Sequence, residues 1–364
     1  MKLIDLFGGG GLASWGFQNL GIEVVAAVDI SPSACFAYQA NFPKSVVFQD
    51  KVSNSINRLR AIAPPDCVLH LSPPCQSFSA AANINRKKVR PSIASEIDAS
   101  IELIRQIKPL LISLEEVPRF SKSAEAEKLR LALWKLGYWL NESVVDCSSI
   151  GLPQNRKRLI WRAVADELSC KLRAGAALAP GLFDQKFWFG LEPKKELHSG
   201  WYSAVADLLE KESESHLADW QMRMLLNFTA LAESSWPVLL PRAGASVKKF
   251  SIRSSEQPSP TVRALELSRT WHLFDALLDC FQGKECYLQR SNQPSITIAA
   301  SWKALLQGDF KVKALSPRAI ARLQGVSDFY ELVGTKSQQV TILGNGVPPL
   351  LIEKMWRPVL NAVA

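Results

Sequence analysis

The chain has 364 residues, 47% of them hydrophobic and 21% charged, and carries 43 Lys and Arg against 34 Asp and Glu, a net charge of +9. That length and balance exclude a disordered tail or a small disulfide scaffold, and they suffice for two domains with a substantial core. The basic surplus fits a polyanionic partner such as nucleic acid, although a solvated basic surface gives the same number.

Seven cysteines (Cys35, Cys67, Cys75, Cys147, Cys170, Cys280 and Cys286) form no Cys-x-x-Cys pair, and the four histidines are not at metal-ligand spacing. This is the pattern of reduced thiols in a cytosolic protein rather than of disulfides or a zinc site. No apolar run reaches the roughly 20 residues that span a bilayer. The first residues read as a strand and not as a signal peptide. The expectation is a soluble, cytoplasmic chain with no membrane partner and no metal.

Leu3 to Phe7 reads as a short apolar strand, followed at once by Gly8-Gly9-Gly10-Gly11 and a helical pattern through Trp15, Phe17 and Leu20. A second strand, Val24 to Val28, closes on Asp29. This opens a right-handed βαβ unit. Glycines after the first strand let a ligand approach the backbone, and the acid after the second can hold ribose hydroxyls. The acid does not choose between a nicotinamide dinucleotide and S-adenosylmethionine, since both present an adenosine ribose.

Further strands are predicted at Val46 to Phe48, leading to Gln49-Asp50, at Cys67 to Leu71, and at Leu110 to Leu114, with a helix around Ala94 to Ile107. The alternation predicts a mostly parallel, doubly wound sheet. Asp29, Asp50, Cys75 and Glu115 are all expected just past strand ends, the edge where open α/β sheets bind ligands.

Ser72-Pro73-Pro74-Cys75-Gln76-Ser77-Phe78-Ser79 places one thiol straight after two prolines. Prolines fix φ, so the cysteine is presented from a stiff loop, whereas a structural core cysteine needs no such presentation. The loop continues into Arg86-Lys87-Lys88-Val89-Arg90, a basic run suited to phosphates that a solvated surface loop would also show. Beyond Arg162 the strand–helix alternation fades. Residues 170–315 become rich in Trp, Ser, Pro and scattered basic side chains, with a weak similarity between Glu256–Val262 and Asn292–Ile298.

Taken in order, these motifs resemble the bacterial-type DNA cytosine-C5 methyltransferases along nearly the whole chain. The matching residues are Asp5-Leu6-Phe7 with its glycines, Asp29, Asp50, Pro74-Cys75-Gln76, Glu115-Glu116-Val117, Gln154-Asn155-Arg156-Lys157-Arg158, Arg318 to Gln324, and Gly344-Asn345-Gly346-Val347-Pro348-Pro349. The resemblance implies a Rossmann-like, doubly wound α/β domain over 1–168 that binds S-adenosylmethionine. It further implies a smaller, irregular target-recognition domain over 169–315 and a return to the catalytic domain over 316–364.

It implies a cofactor site of Phe7, Gly9, Gly11, Asp29, Ile30, Asp50, Pro74, Asn345 and Val347. For catalysis it implies Cys75 as the nucleophile on C6 of a flipped cytosine, Glu115 at N3, Arg158 at O2, and Arg156 supporting the loop or a phosphate. Gln76, Ser79, Arg86, Lys87, Lys88, Gln154, Lys248, Lys249 and Arg253 are the implied DNA contacts. The implied partners are double-stranded DNA and a restriction endonuclease acting on the same site, with the enzyme itself a monomer.

Leu12, Leu71-Ser72, Glu116 and Ala319 depart from the usual motifs. Glu116 stands where the family has asparagine and sets two carboxyl groups side by side. The same motifs also occur in relatives that methylate tRNA, and an inert DNA-binding relative would keep the fold. A nicotinamide-dependent dehydrogenase would leave Pro-Pro-Cys-Gln without a role.

Overall fold

A computed structural model of the chain describes residues 1–74, 93–173, 193–197, 200–201, 203–209, 211, 214–216, 238–240, 272–274 and 311–363. Its centre is a seven-stranded sheet of β1 (Lys2–Leu6), β2 (Glu23–Asp29), β3 (Val46–Gln49), β4 (Cys67–Leu71), β5 (Leu111–Glu116), β6 (Tyr138–Asp146) and β7 (Lys157–Ala165). The strand order is β3-β2-β1-β4-β5-β7-β6, with β1 to β5 parallel and β7 antiparallel to both its neighbours. The doubly wound expectation therefore holds. The β6–β7 hairpin-like edge was not anticipated, because Asn141, Glu142 and Ser143 interrupt the apolar run of β6.

Side chains of β1 and β4 alternate between two cores with the period of a strand. Leu3 and Val68 join the layer of α1 (Leu12–Asn19) and the C-terminal helix, whereas Ile4, Leu6, Cys67, Leu69 and Leu71 join the opposite layer. That opposite layer is built from α3 (Val52–Ile62), α4 (Ala94–Ile107) and α5 (Ala124–Lys135), while α2 (Pro32–Asn41) follows β2. Strands β4 and β5 are buried along their whole length, as central strands covered on both faces must be. The next helix, α6 (Asp166–Arg173), runs across the expected boundary at residue 168.

A second, antiparallel sheet takes the order β8-β11-β10-β9, from β8 (Glu214–His216), β9 (Val238–Leu240), β10 (His272–Phe274) and β11 (Lys311–Ala314). The region expected to be irregular thus contributes an ordered ladder, preceded by a single turn of helix, α7 (Ala206–Leu209). From β11 the chain passes directly into α8 (Pro317–Leu323), then α9 (Lys336–Asn345) and α10 (Pro349–Val363). Helix α10 returns to the first sheet. Its Ile352, Met355 and Trp356 share a core with Phe17 of α1, and the Trp356 indole donates to Ser113 Oγ of β5 at 3.1 Å.

Leu12, one of the departures from the family pattern, is buried at the start of α1. It occupies the space in front of Gly346: a Cβ there would lie 2.2 Å from Leu12 Cδ1. Gly346→Ala is therefore expected to destabilise the fold by about 1–3 kcal/mol through overpacking. Chemical denaturation would measure this, and in a double-mutant cycle with Leu12→Ala the combined loss should be smaller than the sum of the two single losses.

Candidate active site

Strand register decides which residues meet. Leu6 lies level with Val28 of β2 and Leu71 of β4, and Leu71 lies level with Leu114 of β5. The segments that follow these residues therefore emerge along one edge: the glycine turn after β1, Asp29, the Ser72–Pro74 loop and Glu115. The order of strands reverses between β1 and β4, so this edge is the topological switch point where such sheets open a crevice. Two expected positions shift slightly, since Asp29 is the last residue of β2 and Glu115 lies inside β5.

Phe7 leaves β1 with a φ of 61°, an unusual conformation for a residue with a side chain. Gly9 follows at φ 55°, and its N–H donates to Asp29 Oδ2 at 2.8 Å, while Asp29 Oδ1 accepts from Ser31 N at 2.8 Å. Burial raises the Asp29 carboxyl above its ordinary value. Gly11 sits at the start of α1 with φ 85°. Among the described residues nothing lies within 4 Å of the place where a Gly9 side chain would project, and Ile30 beside Asp29 is 62% exposed. An open glycine backbone, an acid and an uncovered apolar side chain suit the ribose and base of a nucleoside.

Asp50, just past β3, is committed differently. Its Oδ1 accepts from Asn54 Nδ2 and Lys51 N, both at 2.8 Å, and its Oδ2 lies 2.6 Å from Arg58 Nη2. The Asn54 amide, above all, holds it below the usual carboxylate value. Any contact with an adenine amino group would use the remaining lone pairs of an already bound carboxylate.

Beneath the turn, Asp5 Oδ2 accepts from Ser14 Oγ at 2.5 Å and from Tyr38 OH at 3.4 Å, and burial pushes its pKa up to about 7. Sequence reading passed over this trio. The signal available was an acid inside an otherwise apolar strand.

At the end of β4, Ser72 N donates to Leu6 O at 3.2 Å and Ser72 Oγ lies 2.8 Å from His70 Nε2. His70 is fully buried, which drops its pKa to about 3 and keeps it neutral. Pro73 is buried and Pro74 exposed. Cys75, Gln76, Ser79, Arg86, Lys87, Lys88, Lys248, Lys249 and Arg253 lie outside the described residues.

Glu115 and Glu116 face Ile160 and Leu159 of β7. The Glu115 side chain is 8% exposed and that of Arg158 14% exposed; Nε and Oε1 stand 2.5 Å apart. The two form an ion pair off the ideal hydrogen-bonding line, since that oxygen has no aligned donor among the described residues. Glu116 is more deeply enclosed. Its Oε2 accepts from Val117 N at 2.6 Å, Oε1 has no partner among the described residues, and burial pushes its pKa up to about 8.

Two polar residues of this stretch lie inside the fold. Arg156 is fully enclosed, and its guanidinium donates to Gly344 O (3.2 and 3.3 Å) and Gly346 O (2.8 Å). It thereby ties this loop to the C-terminal return. Gln154, expected at the DNA, is completely buried, and among the described residues neither of its amide atoms has a hydrogen-bond partner. Asn345 and Val347 part company: Asn345 is exposed at the end of α9, while Val347 joins the core with Leu351.

A parallel sheet that reverses order at a glycine turn, with acids ending the neighbouring strands, defines an α/β enzyme fold that cradles a nucleoside-containing cofactor. The chain belongs to the C-5 cytosine-specific DNA methylase family, which residues 1–361 match, and S-adenosylmethionine is its methyl donor. Among relatives, the type II methyltransferase M1.HphI of Haemophilus parahaemolyticus is 25% identical over 99% of this chain and 87% of its own length. M1.HgaI of Avibacterium volantium is 24% identical over 98% of both chains. M.HgiDI of Herpetosiphon aurantiacus is 32% identical over 43% of this chain and half of its own. The fold is shared with a DNMT2 variant of Spodoptera frugiperda (TM-score 0.64, 17% identity, 99% of both chains). A prophage-encoded DNA modification methyltransferase from E. coli also shares it (TM-score 0.59, 19% identity, 100% and 99% of the two chains). No helix among the described residues is long and apolar enough to cross a membrane.

Proposed function

We propose that this chain methylates C5 of a cytosine flipped out of a specific duplex DNA site, with Cys75 as nucleophile and Glu115 and Arg158 as its partners on the base. The observation that carries the reading is the Glu115–Arg158 pair at the sheet edge, level with the Pro73-Pro74 loop that leads into Cys75.

Cytosine C5 is a weak nucleophile. Addition of the Cys75 thiolate to C6 moves an electron pair toward C5 and makes it enamine-like. Charge developing on the ring is met at N3 by Glu115 and at O2 by Arg158, two groups already held together in a nearly water-free wall. Bound S-adenosylmethionine supplies the electrophilic methyl group. Once C5 carries the methyl, a base or water takes the C5 proton, and the C–H electron pair re-forms the C5–C6 double bond as the Cys75 thiolate leaves. A thiol cannot reach C6 inside the base stack, so the target base must be extruded into the crevice.

The turn at Phe7–Gly11 with Asp29 and Ile30 holds the adenosine part of the cofactor, and Arg156 fixes the Gly344–Gly346 strap that closes over it. Residues 1–168 and 316–364 make up the catalytic domain. The second sheet presents the base-reading surface, with Lys248, Lys249 and Arg253 contacting DNA and the Arg86-Lys87-Lys88 loop contacting phosphates. A cognate restriction endonuclease reading the same site is the partner in such a system.

Bisulfite sequencing of plasmid DNA from cells expressing the chain tests the reading, with Cys75→Ser alongside. The expected result is protection of cytosines in one short context, lost in the variant. Unprotected DNA together with methylated tRNA would replace DNA as the substrate.

A further inference from the structure

We propose that Tyr330 is a positioning residue for S-adenosylmethionine, pinning the glycine turn from the side of the molecule that carries the second sheet. Tyr330 is 1% exposed, and its hydroxyl donates to the carbonyl of Gly10 at 2.6 Å. The ring stands edge-on to Trp15 of α1, 5.5 Å between centroids, so the hydroxyl is held by packing as well as by its bond. Gly10 is the middle of the Gly9–Gly11 turn. Its neighbour Gly9 is the residue whose N–H binds Asp29 and whose α-carbon stands open among the described residues, so a shift of the Gly10 carbonyl moves the cofactor wall directly.

The other end of Tyr330 is fixed by α8. Arg318 Nη2 donates to the Tyr330 carbonyl at 2.7 Å and Nη1 to Ser327 O at 3.1 Å. One turn on, Arg322 binds Asp328 through Nε and Nη2 (2.9 and 2.5 Å) and reaches Asp207 of α7 with Nη1 at 2.5 Å. Glu331, next to Tyr330, exchanges two main-chain bonds with the Asn41 side chain at the end of α2, at 2.8 and 3.0 Å. The 327–331 segment is thus gripped by α8 on one side and grips the glycine turn and α2 on the other. Helix α8 continues directly from β11 of the second sheet. A rearrangement of that sheet on DNA has a short, polar, fully bonded route to the cofactor turn, and Tyr330 is its last link.

The inference rests on reading the glycine turn as the cofactor's cradle, and the test separates the two. Tyr330→Phe keeps the ring against Trp15 and removes only the hydroxyl. It is expected to weaken S-adenosylhomocysteine binding by about tenfold in titration calorimetry and raise KM for S-adenosylmethionine equally, with kcat at saturation within about twofold. Arg318→Gln, which leaves the hydroxyl in place and frees the Tyr330 carbonyl, should raise the same KM by a smaller factor, and it carries the test alone if Tyr330→Phe does not fold. Ile30→Asp, at an exposed position, reports on the cradle itself. If Ile30→Asp weakens binding while Tyr330→Phe and Arg318→Gln leave Kd and KM unchanged, the positioning role is overturned. If Ile30→Asp also has no effect, the cradle reading falls first and takes the positioning role with it. A drop in kcat with KM unchanged would likewise overturn it, since that is the mark of a general structural fault.

Discussion

Glu115→Gln is expected to lower kcat by about 10²- to 10⁴-fold, the range for loss of a positioned proton-transfer or charge-stabilising group. Glutamine keeps the length and shape of the side chain but cannot deliver or accept the proton at N3. Glu115 is nearly enclosed and faces the Arg158 guanidinium at 2.5 Å, so water cannot readily substitute for it. The same change leaves Arg158 without its counter-charge in a site where both partners are largely desolvated. Removing one member of such a pair destabilises by up to about 3–5 kcal/mol when burial is complete, and by less here because Arg158 keeps some exposure. Activity should therefore be measured by methyl incorporation at a temperature where circular dichroism shows the variant fully folded. S-adenosylhomocysteine affinity should stay within about twofold, because the cofactor turn lies on β1 and β2. A kcat within tenfold of the parent would remove Glu115 from the chemistry.

The second large effect concerns stability against pH. Glu116 is buried, has among the described residues one N–H partner and one bare oxygen, and sits beside the Glu115 charge; burial above all lifts it from its ordinary 4.5 to about 8. Below pH 4.5 the group is protonated whether the chain is folded or not, and its burial is uncharged. Between pH 4.5 and about 8 the unfolded chain gives up a proton that the folded chain keeps, so folding stability falls as pH rises. The loss from pH 5 to pH 8 is on the order of 3 kcal/mol, at about 1.4 kcal/mol per pH unit. Asp5, lifted by burial from 3.8 to about 7, adds a loss of the same sign at lower pH.

Glu116→Gln should therefore flatten urea-denaturation stability between pH 7 and pH 8 and exceed the parent at pH 8, leaving the Asp5 contribution below. An unchanged slope would mean that Glu116 is ionised in the folded chain. The departure from the family's asparagine becomes intelligible on these terms. A protonated glutamate is a neutral side chain with one accepting oxygen, close in polarity to the carboxamide it replaces.

Strands β1 to β5 were legible because each is a short apolar run ending in a polar residue, and the helix at Ala94–Ile107 was read to its ends. The β6–β7 edge escaped because its buried polar residues satisfy each other across the pair, with Arg162 Nη2 donating to Asn141 Oδ1 at 2.8 Å. In sequence those residues look like solvent-facing ones. The burial of Gln154, expected at the DNA, and of Arg156, expected to support the loop or a phosphate, was equally invisible in the sequence.

Local pattern, then, determined the class of this protein: short apolar runs alternating with helical stretches, a glycine turn after the first, Pro-Pro-Cys after β4, and motifs in an order that names a family. Those features act within a few residues, so one chain read alone exposes them. The tertiary structure decided which groups share partners. Glu115 meets Arg158 because β5 and β7 pair antiparallel, Arg156 meets Gly344 across 188 residues, and Tyr330 meets Gly10 across 320. Such pairings follow from sheet register and from the return of α8 to α10 onto α1, where burial selects the partner and sequence spacing carries no trace of it.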